Sequence, residues 1–106
     1  MLRQYNLTLD GTAQPLSDAL PTQLIRDNPA FREVFLQADD GASAAMFIGD
    51  ADVTAAVHGI RIAAPAAGVP DRPIALGPYT SGAIHLNEIY VIGTADDILN
   101  IVGVEW

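Results

Sequence analysis

The chain has 106 residues and a mass of 11.2 kDa, a size suited to one domain. Half of its residues are hydrophobic and 17% are charged, which excludes a disordered polar segment. Thirteen acids against five bases, all of them arginine, give a net charge of −8, so nucleic acid, which needs clustered positive charge, is expected not to be a partner and an anionic membrane would repel the chain.

In chain order, Arg3 to Leu9 alternates, with Tyr5, Leu7 and Leu9 on one face, as in a half-buried strand. Asp10-Gly11 then marks a turn. Residues 15–30 are punctuated by Pro15, Pro21, Asn28 and Pro29, leaving room for one helical turn, at Ser17–Leu20 or Thr22–Arg26. Arg32 to Ala38 reads as a strand closed by Asp39-Asp40-Gly41, and Ala44 to Ile48 as another ended by Gly49-Asp50. Val57 to Ala63 is strand-like with an uncertain register, followed by a Pro/Gly loop from Ala64 to Arg72. Short strands are then expected at Pro73–Leu76, Ala83–Leu86, Glu88–Ile92 and Ile98–Val104, the last two rich in β-branched residues. Seven to nine short strands at this spacing predict an all-β sandwich or barrel, jelly-roll-like, over residues 1–106. Phe35, Phe47 and Tyr90 lie inside strands and are expected in the core.

No motif points to a reaction. Asp50-Ala51-Asp52-Val53-Thr54 has the spacing of the haloacid dehalogenase nucleophile motif. That chemistry needs magnesium and an α/β fold, which neither the strand pattern nor the length supplies, so the segment reads as an aspartate-rich turn. His58 and His85 are 27 positions apart, and Glu88 lies three residues after His85, opposite in direction on a strand. A cupin-like metal site through these three stays open as an alternative, with ordinary surface histidines favoured. The pairs Asp39/Asp40, Asp50/Asp52 and Asp96/Asp97 fall at turns and lack the EF-hand pattern. Ser17, Ser43 and Ser81 have no nucleophile elbow, and the glycines form no phosphate-binding loop. No catalytic, cofactor-binding or metal residue is assigned.

The start of the chain lacks the apolar run of a secretion signal, and no apolar stretch approaches the ~20 residues needed to cross a bilayer. A soluble product made in the cytoplasm is the expectation. An apolar composition combined with high charge is consistent either with an alanine-rich small domain or with a subunit buried against copies of itself. Trp106 is a candidate anchor in a neighbour's pocket, and Tyr79 a loop aromatic open to contact. Arginine must carry every charged pair from the basic side, which adds Arg26 and Arg61 as interface candidates.

Residues 45–54 (Ala-Met-Phe-Ile-Gly-Asp-Ala-Asp-Val-Thr) resemble a pattern in small tailed-bacteriophage virion proteins, where a strand and glycine lead into an Asp-Val-Thr turn. Leu76-Gly77-Pro78, Leu86-Asn87-Glu88-Ile89-Tyr90-Val91-Ile92-Gly93-Thr94 and Asp97 to Val102 continue that pattern, so the resemblance covers about residues 31–106. It implies a non-enzymatic capsid decoration or cement protein, usually a homotrimer seated on the major capsid protein. A neck, tail or fibre component is the alternative within the virion, needing the same oligomeric β scaffold. A small carbohydrate- or ligand-binding β-module is the alternative from another class. Residues 1–30 depart from the compact pattern and are read either as an arm or as a first hairpin.

Overall fold

The computed structural model describes residues 2–27, 29–65, 73–77 and 82–106, with backbone alone at 25–27. Eight strands are present among them: β1 (Leu2–Thr8), β2 (Gln14–Pro15), β3 (Phe31–Ala38), β4 (Met46–Gly49), β5 (Ile60–Ile62), β6 (Ile74–Leu76), β7 (Tyr90–Ile92) and β8 (Ile98–Glu105). They form two four-stranded antiparallel sheets, in the orders β1-β8-β3-β6 and β2-β7-β4-β5. In chain terms β1 pairs with β8, β2 with β7, β3 with β6 and β4 with β5, as if one long hairpin had been rolled over itself. That order is the jelly roll, an all-β double sheet that is not closed into a barrel.

Alternation along each strand divides core from surface. Leu7, Val34, Leu36, Leu99 and Ile101 of the first sheet face Met46, Ile48, Ile62 and Val91 of the second, all buried. Leu9, Leu16 and Leu20 join the same core from the segment after β1. The parity expected for Tyr5, Leu7 and Leu9 holds. Phe35, Phe47 and Tyr90 do not belong to the core: each is half-buried on an outer face. Phe35 pairs with Val102 and Ala75, and Phe47 with Ile92 and Arg61, so register places them opposite their buried neighbours. Among the described residues the fully buried aromatic is Phe31 instead.

Several boundaries differ from the sequence reading. Both helical segments of the punctuated stretch form, a 3₁₀ turn at Leu16–Ala19 and a short helix α1 at Thr22–Asp27. Ala83–Leu86 is not a strand: Ile84 makes one isolated bridge to Phe31, and the chain then coils into a 3₁₀ turn at Leu86–Glu88. Val57 lies outside β5, because the Thr54 hydroxyl accepts its N–H at 2.9 Å and its carbonyl accepts the Thr54 N–H at 2.8 Å, closing a turn. No helix among the described residues is long and apolar enough to cross a membrane.

One close approach fixes how β3 and β8 pack. A Cβ built on Gly103 would stand 2.5 Å from the Phe31 ring, so only glycine lets that ring lie against the central strand. Gly103→Ala is expected to destabilise the protein by about 1–3 kcal/mol through overpacking, lowering Tm by several degrees per kcal/mol in a domain of this size. Thermal unfolding of Gly103→Ala, Phe31→Leu and the double variant tests this. The double variant should be more stable than the sum of the single effects, because the smaller side chain vacates the space the new methyl needs.

Candidate interaction surface

The two ends of the first sheet differ in chemistry. At one end β1 finishes with Thr8 opposite Ile98, and β3 finishes with Ala38 opposite Leu99. The connecting turns there carry Asp10, Asp39, Asp40, Asp96 and Asp97. Asp10 organises the first turn: its carboxylate accepts the Thr12 hydroxyl at 2.6 Å and the Thr12 N–H at 2.9 Å, which holds its pKa below the usual carboxylate range. The buried Gln14 side chain accepts the Asp10 N–H at 2.9 Å and closes the same loop. Asp96 takes a left-handed φ of 74°, a conformation aspartate tolerates better than most side chains.

Asp97 is buried and gathers the segment that crosses between sheets. Its carboxylate accepts the Ser43 N–H and the Ser43 hydroxyl at 3.0 Å each, and the Ala44 N–H at 3.3 Å. These bonds hold residues 43–45 against the start of β8. They thereby shape one side of an open groove of about 470 Å³ lined by Gly11, Ala44, Ala45, Phe47, Ala55, Ile92, Gly93 and Thr94. Phe47 and Ile92 are opposed across β4 and β7 on the outer face of the second sheet. The His58 ring leans on Phe47 at a centroid distance of 4.6 Å. Gly93 keeps the groove's edge thin, since a Cβ there would lie 2.6 Å from Leu9 Cδ1.

The other end of the first sheet carries two arginines, Arg3 and Arg32, together with Glu33 and Glu105. Arg3 and Arg32 are placed there by the starts of β1 and β3, beside the end of β8. Arg3 Nε donates to Glu105 Oε1 at 2.8 Å, and this partner raises the guanidinium pKa further. Trp106 follows directly and is 56% exposed. Near it Leu2, at 65% exposure, pairs with Val104 on the outer face. Tyr5 is opposite Ile101 on the inner face, and its hydroxyl is buried without a hydrogen-bond partner among the described residues. Burial pushes its phenol pKa up.

Of the sequence candidates, Trp106 and Arg61 are exposed, Arg61 standing opposite Phe47 on the outer face of β5. The side chain of Arg26 and all of Tyr79 lie outside the described residues. His58 lies beside Gly49, Asp50 and Val57, while His85 and Glu88 border a separate shallow pocket with Leu76 and Ile89. The structure therefore does not bring His58 together with His85 and Glu88. Among the described residues no group of three His, Cys, Asp or Glu side chains is arranged to hold a metal ion. The groove escaped the sequence reading because alanine and glycine carry no chemical signature; only the folded register collects them. Comparison with protein-family profiles, curated proteins and solved structures found no match.

Removing the Asp97 carboxylate leaves the Ser43 and Ala44 N–H groups without their acceptor. Asp97→Ala is expected to cost about 2–3 kcal/mol, with Asp97→Asn falling between it and the parent, measured by chemical denaturation. Tyr5 gives a pH signature. Its folded pKa is raised, so its contribution to stability is complete below the ordinary phenol value of about 10 and is lost as pH rises through the folded value. Ultraviolet titration should show a late tyrosinate step that disappears in Tyr5→Phe, and that variant should be at least as stable as the parent.

Proposed function

We propose that this chain is a non-enzymatic structural protein of a tailed-bacteriophage virion, a capsid decoration or cement subunit seated on the major capsid protein. The observation that carries this reading is where the phage-like segments lie within the jelly roll. Residues 45–54 and 86–94, far apart in sequence, are hydrogen-bonded neighbours: Phe47 faces Ile92, Ile48 faces Val91 and Gly49 faces Tyr90. The resemblance thus follows one folded unit, β4 with its following turn and β7 with its preceding 3₁₀ turn. Jelly rolls serve in viral capsids, in lectins and in cupins, so the architecture admits the reading and the motifs select within it.

A cement subunit stabilises a shell by adding contact area between capsomers, and repetition over a lattice multiplies a modest contact into firm attachment. A homotrimer on the capsid surface fits that role, and a neck, tail or fibre position would use the same scaffold. The apolar groove beside Phe47 supports a second reading, a small carbohydrate- or ligand-binding module.

Co-sedimentation of the purified chain with capsids depleted of accessory proteins tests the first reading. Pelleting in a fixed ratio to the capsid protein, with a rise in the shell's thermal stability, is the expected result. A chain that stays in the supernatant while binding a glycan or another small ligand would replace this reading with the second.

A further inference from the structure

The two exposed features at opposite ends of the sandwich are complementary. Trp106 projects beyond β8 at the end bearing Arg3 and Arg32, and the alanine-lined groove opens by the end bearing Asp10, Asp39, Asp40 and Asp96. Thr94, at the groove, lies just before the start of β8, and Trp106 lies just after its end. The eight residues of that strand span ~27 Å at the rise of an antiparallel strand, so a chain cannot place its own indole in its own groove. We propose that the occupant is a second copy: Trp106 of one copy enters the groove of the next, against Phe47 and Ile92.

Size and charge both favour this occupant. A groove of about 470 Å³ walled by Ala44, Ala45 and Ala55 has room for a bicyclic ring, and its floor is aromatic and aliphatic. In a chain of net charge −8, copies repel each other in most orientations. In the head-to-tail orientation the aspartate-rich end meets an end where Arg3 and Arg32 balance Glu33 and Glu105, the least repulsive approach, and it brings the exposed Arg32 of one copy toward the four exposed or half-exposed aspartates of the next. Such a contact joins two different patches, so it builds a closed ring where the rotation closes, a trimer included, and an open chain where it does not. The inference deepens the homo-oligomer of the structural reading, but it rests only on the side chains named here.

The test uses the full chain, with Trp106 as its only tryptophan and therefore an unambiguous reporter. Light scattering should give a multiple of the monomer mass, and Trp106 emission should shift to shorter wavelength as concentration rises. Trp106→Ala removes the knob and Ala55→Phe fills the groove. Each should weaken association about 30-fold or more, the scale of a buried aromatic anchor, with circular dichroism and Tm of the fold retained. Mixing the two variants should then restore one good contact and yield a dimer that goes no further. Solvent-exposed emission and a monomer mass up to ~1 mM would overturn the proposal. So would an oligomer that survives Trp106→Ala, or a mixture that stays monomeric. Capsid co-sedimentation is read separately, so loss of self-association with retained capsid binding would sink this contact alone.

Discussion

The Asp97 carboxylate is the constraint on which both sheets depend at one end of the molecule. It sits at the entry to β8, the strand flanked by β1 and β3. Its acceptors take up the backbone of Ser43 and Ala44, within the crossover from β3 in one sheet to β4 in the other. A buried carboxylate is costly unless its oxygens are satisfied, and here they receive three donors. The groove inherits its wall from this arrangement, since Ala44 and Ala45 stand where the Asp97 bonds hold them. Stability and surface shape are therefore set by one side chain.

At the opposite end the constraint is steric. Phe31 starts β3, is bridged to Ile84 by reciprocal backbone bonds of 3.0 and 2.8 Å, and lies over Gly103. The bridge ties the segment before β7 to the first sheet, while the absent Cβ on β8 makes room for the ring. A polar knot and an aromatic stacked on glycine thus pin the two ends of the same central strand. Between them the core needs only alternating aliphatic side chains.

The strands were legible because their alternation and turn residues agree. Leu7 and Leu9, Leu99 and Ile101, and the Asp-Gly turns all carry the pattern of half-buried sheet. Orientation was less legible. Phe35 lies between Val34 and Leu36, and Phe47 between Met46 and Ile48, so every position is apolar and period two cannot say which face is the core. Pairing decides it, and pairing is long-range. β2 was invisible for a different reason: two residues, one of them Pro15, carry no strand signal, yet Gln14 and Pro15 extend the second sheet beyond β7. On the surface, Trp106 stood out by its chemistry and the groove did not, because its walls are the smallest side chains from four separate stretches of chain.

The distribution of charge connects these levels. With no lysine, the chain has only arginines to balance thirteen acids, and the strand register gathers the aspartates of three turns at one end. At the other end two arginines balance two glutamates: Arg3 is engaged with Glu105, and Arg32 is exposed beside Glu33. Surface ion pairs of this kind add little to folding. Their distribution matters more for how copies approach one another, because a polarised surface of high net charge penalises like-on-like encounters and spares the head-to-tail one. A protein that works by repeated contact gains from such a bias, since it selects an orientation before any apolar side chain is buried.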